Sequence, residues 1–464
     1  MNISQALAFA DSNREAFVEQ LETYLRFPSV SAQSTCRPAL LECASWLKNH
    51  CQELGLKTKL IKTAGHPVLL ASTRSFQSRK SQHKRQYLVY GHYDVQPADP
   101  LELWDTPPFE PTIRKGQIFA RGSSDNKGQN FAHLKGLQSL LAAGVDLPFD
   151  VTFVLEGEEE VGSEGLSEVL KKHRELLQCE GVIVSDTGMP AEGLPALTYG
   201  LRGVVACEVK VTGPSRDMHS GIYGGSVENP AMALAQLLAG LRDKDGRITV
   251  EGFYDEVKAL APFERKAMAR LPHSDRAYAK FLGVKELAGE AGYTAHERRS
   301  CRPTLEINGL TSGYQGEGSK TIVPSWASAK ITCRLVPNQK PATILRRLKR
   351  HLKAACPKSV RLEVMDGHGG EAYMVDPRGP KAKAALRALE QAFGCKPLML
   401  REGGSIPIVS EFKKVLKADT LLLGIGLPDD NIHSPNEKFS LDCFHNGIRM
   451  GIHLWKELAD LTSK

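Results

Sequence analysis

Short runs of strand-forming residues that break off in charged loops constrain this chain most. Residues 87–90 (YLVY), 151–155 (VTFVL), 181–184 (GVIV) and 420–425 (TLLLGI) are mostly apolar and show no regular alternation. Strands buried on both faces of a parallel sheet read this way. The first runs into Gly91-His92-Tyr93-Asp94, the second into Glu156-Gly157-Glu158-Glu159-Glu160 and the third into Ser185-Asp186. The fourth runs into a loop that carries His433. Helical patterns follow at 128–143, where Phe131, Leu134, Leu137, Leu140 and Leu141 share a face, and at 441–458. Strand, acidic or histidine-bearing loop, helix is the signature of an α/β fold. In open α/β sheets, ligands bind beyond the carboxyl ends of the strands.

The middle of the chain has another rhythm. Residues 204–211 alternate as a strand, and Asn229-Pro230 is an N-cap and first-turn pair opening a helix with Leu234, Leu237, Leu238 and Leu241 inward. Strands at 305–310 and 327–336, a helix at 342–355 and a strand at 360–365 follow. The order is β-α-β-β-α-β, a split-βαβ, ferredoxin-like sandwich. The helical, charged stretch 255–299 reads as an insertion in it. Residues 1–197 and 378–464 therefore form one domain around a mixed, mainly parallel sheet, with a smaller domain, 198–377, inserted between them.

The 464 residues are too many for one core. The net charge of +7 is mild over this length and points to neither nucleic acid nor a membrane surface. The densest basic segment, 74–85, lies between two strand-like runs and reads as a solvated loop rather than a polyanion site. No apolar run approaches the roughly 18 residues that span a membrane. The N-terminal stretch looks like an amphipathic helix without the basic and apolar regions of a signal peptide. Ten cysteines without a Cys-x-x-Cys pair fit free thiols in a reducing, cytoplasmic setting.

His92 and Asp94 share one side of an extended chain. A carboxylate two residues on can hold the far nitrogen of a metal-binding imidazole. Alone, His-x-Asp equally describes a strand-end histidine hydrogen-bonded to a nearby aspartate. Its company changes the odds: Asp125 in a Gly/Ser-rich turn, Glu159 and Glu160, Asp186 and His433 all fall at strand ends or before a helix. Two histidines and three carboxylates are the ligand types of a dinuclear zinc, manganese or cobalt site.

The motifs GHYDVQP (91–97), RGSSDNKG (121–128), EGEEEVGS (156–163), SDTG (185–188), MHSGIYGG (218–225), REGGSIP (401–407) and IHSPNEK (432–438) resemble, in this order, those of the dinuclear zinc peptidase superfamily of aminoacylases, desuccinylases, tripeptidases and carnosinase-like dipeptidases. The branch they resemble most is that of the cytosolic nonspecific dipeptidases and carnosinases, on the long inserted domain and on Asp186. The resemblance implies two divalent metal ions, zinc first and manganese or cobalt otherwise. His92 and Asp186 would hold one and Glu160 and His433 the other, with Asp125 bridging ahead of a cis peptide bond. Asp94 would orient His92. Glu159 would be the general base, with Glu158 the variable position. His219 would be an oxyanion donor supplied across a homodimer by the inserted lid and dimerisation domain. Arg334 would bind the substrate carboxylate, with Thr321 and Ser405 as further substrate contacts, and Glu402 with its two glycines would shape the pocket floor.

The expected reaction is metal-dependent hydrolysis of dipeptides or other short peptides with a free carboxylate. An N-acyl amino-acid amidohydrolase would use the same metals and base. A non-catalytic dimeric binding protein on this fold would have lost the base or a ligand, and here all are present.

Overall fold

The computed structural model describes residues 1–76, 85–272 and 274–462. Residues 77–84 of the basic segment lie outside the described residues. The chain divides into two compact units, one of residues 1–199, 375–400 and 407–464, the other of 200–374 and 401–406. The second unit thus also takes in the short segment 401–406 from the far side of the sequence.

The first unit is built on a mixed sheet whose strands follow the order Lys57–Ile61, Val68–Ser72, Asp150–Glu156, Gln86–His92, Gly181–Val184, Thr420–Leu422 and Ala196–Leu201. The four strands from Asp150–Glu156 to Thr420–Leu422 are mutually parallel, and antiparallel strands flank them. Parallel strands buried on both faces explain the unbroken apolar runs. Every residue of Gln86–His92 and Asp150–Glu156 is buried.

The helix Lys127–Ala142 packs against the His92 strand, the N-terminal helices and the long helix Leu441–Thr462. Almost all of it is buried, although Leu141 faces solvent. Gly128 admits no side chain, because a Cβ there would lie 2.1 Å from the Ser123 carbonyl oxygen. The tight turn before this helix carries Asp125. Polar residues inside the helix find local partners. Lys127 Nζ donates to the Tyr24 and Phe27 carbonyls, and Lys135 Nζ to Gln20, Gln138 and His50.

The second unit contains an antiparallel sheet in the order Thr304–Ser312, Trp326–Leu335, Gly203–Thr212 and Arg361–Gly370. Helices Pro230–Ala239 and Pro341–Ala355 cover it. Asn229 caps the first of these, accepting from Ala231 N at 2.9 Å, with Pro230 in the first turn. This is the split-βαβ order expected from the sequence. Three short helices, Pro262–Met268, Asp275–Phe281 and Ala295–Cys301, form the insertion.

Candidate functional site

The parallel strands of the first unit deliver their charged ends to one place. His92 closes its strand and is fully buried. Its Nδ1 lies 3.0 Å from the Asp94 backbone carbonyl and 3.4 Å from the Asp94 carboxylate. Both partners accept, so Nδ1 carries the hydrogen and Nε2 turns outward. Nε2 then lies 3.1 Å from Asp125 Oδ1 and 3.6 Å from Asp186 Oδ1. The Asp94 carboxylate does more than steady the ring. It accepts from the amides of Glu159 at 3.3 Å and Glu160 at 3.1 Å, which fixes the turn that carries both glutamates.

Asp125 faces two ways. Its Oδ1 meets His92, and its Oδ2 lies 2.9 Å from His433 Nε2. The Asp125–Asn126 peptide bond is cis. His433 Nε2 is also 3.5 Å from Glu160 Oε2, which accepts from Gln96 Nε2 at 2.7 Å. The result is two ligand groups, His92–Asp125–Asp186 and Asp125–Glu160–His433, sharing Asp125. Within each, one donor atom per residue lies within 4.8 Å of the others. Glu158 lies outside both and instead accepts from Gly165 N at 3.2 Å.

The charges in this cluster are arranged for cations. Burial would lower the His92 pKa, but Asp125, Asp186 and Asp94 raise it well above its ordinary value. Asp125 and Glu160 hold the His433 imidazole at about 10, against the opposing effect of burial. Burial opposes the ionisation of Asp125, yet hydrogen bonds to His433 and His92 pull its pKa down. Each imidazole nitrogen thus faces two carboxylates across a gap that favours positive charge. Glu160 Oε1 is buried with no hydrogen-bond partner among the described residues. An orphaned carboxylate oxygen is costly unless something cationic meets it. The donor set of imidazole nitrogens and carboxylate oxygens suits two divalent transition metals.

Glu159 sits beside this cluster in the short turn Glu159–Val161 and belongs to neither ligand group. Burial raises its pKa well above the usual carboxylate range, with Asp186, Glu160 and Asp125 adding to the rise and His92 opposing it.

Several supporting residues have no counterpart in the sequence analysis. Asn126 Nδ2 donates to Asp186 Oδ1 at 2.8 Å. His133 Nε2 lies 2.7 Å from Ser185 Oγ, next to Asp186 in the chain. The buried Glu437 carboxylate accepts from Arg121 at 2.7 Å, Gly122 N at 2.9 Å, and Ser124 N and Asp125 N at 3.0 Å each. Asp430 accepts from Ser124 Oγ at 2.7 Å. These two acids tie the His433 loop to the Asp125 turn. Both lie in or beside segments singled out by sequence, but a contact across 312 residues leaves no local spacing to find.

The remaining expected residues lie in the second unit. His219 is exposed on a two-stranded ribbon, Met218–His219 paired with Ile322–Val323. Thr321 adjoins it, its carbonyl accepting from Ser220 N at 3.0 Å. Arg334 donates to Ser405 Oγ at 2.9 Å, and Ser405 Oγ donates to the Arg202 carbonyl at 2.6 Å.

Residues 88–457 match the peptidase family M20/M25/M40. The chain belongs to this family. It is 32% identical over 478 residues to the Cys-Gly metallodipeptidase of Schizosaccharomyces pombe, covering all of this chain and 99% of that one. It is 28% identical over 477 residues to the human Beta-Ala-His dipeptidase, covering 99% and 93%. Among solved structures, the M20 family metallo-carboxypeptidase Sso-CP2 of Sulfolobus solfataricus superposes with a TM-score of 0.84 at 32% identity, over 96% of this chain and 99% of that one. Human carnosine dipeptidase 1 gives 0.83 at 28% identity, over 99% of each. The fold and the enzyme class expected from the motifs stand on these matches. Among the described residues, no helix is long and apolar enough to cross a membrane.

Proposed function

We propose that this chain hydrolyses the amide bond of dipeptides and other short peptides that carry a free carboxylate. The observation that carries the proposal is the pair of ligand groups sharing Asp125, with Glu159 unligated beside them. Two divalent ions held there, zinc before manganese or cobalt, would supply Lewis acidity and make water available as hydroxide near neutral pH. His92 and Asp186 would hold one ion, and Glu160 and His433 the other. Asp125 would bridge them.

The chain's own groups do the rest. Glu159 takes the proton from the attacking water and passes it to the leaving amine. A carboxyl with a raised pKa is suited to both directions of transfer. The carbonyl oxygen that becomes negative needs a donor placed for it. His219 fits this role: its Nδ1 accepts from Gly221 N at 3.1 Å, so the neutral ring carries its hydrogen on Nε2. In this proposal a homodimer through the inserted domain brings the partner's copy of this donor to each site. The Arg334 fork, steadied by Ser405 and with Thr321 as a further contact, takes the substrate carboxylate. The ten free thiols fit a reducing, cytoplasmic setting.

The test is hydrolysis by chelator-stripped protein with zinc, manganese or cobalt added back. Simple dipeptides and tripeptides would be set against N-acetyl and N-succinyl amino acids. Metal-dependent cleavage of the peptides supports the proposal. Cleavage of the acylated set alone would make the protein an amidohydrolase with the same machinery.

A further inference from the structure

The second unit holds a cavity of about 570 Å3 whose charges do not balance. Six of its lining residues are arginines and three are glutamates. Two of the arginines are neutralised. Glu290 grips Arg302 with both oxygens, at 2.7 and 2.6 Å, and Glu306 pairs with Arg242 at 2.9 Å. Arg298 donates to the Glu290 and Ala288 carbonyls. Arg298 and the third glutamate, Glu286, have no ion-pair partner among the described residues; nor do Arg202, Arg299 and Arg334.

These three are held close together. Arg202 is largely buried, and burial first, then Arg334 and Arg299, pull its guanidinium down to about 10 against the pull of Glu402. The Glu402 carboxylate is engaged by its neighbouring Gly403 N at 2.8 Å. Arg202 spends two of its five donors on the Gly403 and Arg302 carbonyls. Gly403 permits this approach, since a Cβ there would lie 2.4 Å from the Arg299 carbonyl oxygen. The Arg299 guanidinium makes no hydrogen bond among the described residues and lies 5.9 Å from the Tyr278 ring centroid. Ser405 joins Arg334 to the Arg202 backbone, and the group assigned to the substrate carboxylate lines the same cavity as the Arg202 and Arg299 guanidiniums. Apolar walls from Leu282, Val284 and Leu305 would accept methylenes. Three like charges opposed only by Glu402 and by Glu306, itself paired to Arg242, still favour an added anion.

We propose that this cavity receives the side chain of the substrate's C-terminal residue and selects a second carboxylate there, so that peptides ending in glutamate or aspartate are preferred. The inference rests on the reading of Arg334 as the α-carboxylate ligand of a peptidase.

The experiment compares kcat/KM of the metal-loaded enzyme for Ala-Glu, Ala-Gln and Ala-Gly. Glutamate and glutamine differ in charge and hardly in size. A charge-assisted hydrogen bond to a guanidinium predicts a preference for Ala-Glu over Ala-Gln of about tenfold or more, expressed in KM and weakened by salt. Arg299→Gln should bring that ratio close to one, and Arg299→Lys should keep part of it. A wild-type ratio of one or below, or a ratio unchanged in Arg299→Gln, overturns the inference. In either case continued cleavage of Ala-Gly leaves the peptidase reading intact. If none of the three peptides is cleaved while N-acyl amino acids are, the peptidase reading fails, and this inference with it.

Discussion

Replacing Glu437 with glutamine removes one charge and one acceptor from a group that no catalytic scheme needs, yet it should damage the site. Glu437 Oε1 accepts the amides of Ser124 and Asp125, and Oε2 accepts Arg121 and the amide of Gly122. Burial pushes its pKa up, with Arg121 opposing, but four donors and no acceptor around it demand the ionised form. A glutamine of either orientation turns its NH2 toward two of those donors. In either orientation it also leaves the buried Arg121 guanidinium without a counter-charge, beside the Pro97 carbonyl at 3.2 Å and 5.4 Å from the centroid of the Trp104 ring. Breaking a buried ion pair from one side costs about 3–5 kcal/mol. That loss should appear in urea unfolding of the metal-free protein. Because the freed amides belong to the turn that carries Asp125, metal affinity measured by calorimetry should also fall, by about 10–100-fold. A Glu437→Gln protein with wild-type stability and wild-type metal affinity would refute the idea that this carboxylate holds the ligand turn in place.

Three further outcomes are expected. Glu159→Gln should bind both metals as tightly as wild type while kcat drops by about 10²–10⁴-fold, the usual weight of a general base. His219→Ala should keep metals and fold but lose about 10²–10³ in kcat. Mixing it with Glu159→Gln should restore activity if the donor crosses between subunits, and should not if it acts within one chain. Lys135→Met should change how stability depends on pH. Burial lowers the Lys135 pKa from 10.5 to about 7, with Cys51 and Glu53 opposing. Between these values the unfolded chain holds a proton that the folded chain lacks, so this residue makes stability rise with pH. Denaturant unfolding of wild type should gain about 2–3 kcal/mol from this source between pH 7 and 9, and the methionine variant should not.

Much of this arrangement was legible because chemistry and periodicity coincide at strand ends. The strand that ends in His92, the adjacent glutamates and Ser185-Asp186 all sit where an apolar run stops. The split-βαβ order was equally open to reading, since its two central strands, Gly203–Thr212 and Trp326–Leu335, alternate between buried and less buried residues. Helix Pro380–Phe393 gives no such signal. Its buried face is mostly alanine, Ala382, Ala384, Ala385, Ala388 and Ala392, which carries little hydrophobic signal. The proline in its first turn and Gly394 at φ 70° after its end were the available clues. The His-x-Asp spacing points to the Asp94 carboxylate as the partner of the His92 ring. The backbone carbonyl of Asp94 lies nearer, and the carboxylate divides its attention between the ring and the Glu159–Glu160 amides. Spacing in sequence identifies which groups can share a face; it does not say which oxygen arrives first. Gln96, Asn126, Asp430 and Glu437 escaped for a related reason: their partners are set by how distant loops meet.

The position of strand Thr420–Leu422 bears on the order in which the molecule can be assembled during synthesis. It lies between Gly181–Val184 and Ala196–Leu201, so the interior of the sheet is filled by a segment translated long after both of its neighbours. When residue 199 has emerged, His92, Asp125 and Asp186, one of the two candidate ligand groups, have all been made. His433 has not, and Gly181–Val184 still offers an open, apolar edge of the kind that recruits stray strands. A growing chain therefore passes through an interval with one of the two candidate ligand groups made and an unfinished sheet. The late segment closes both, so neither the second ligand group nor the parallel sheet is complete before it is made.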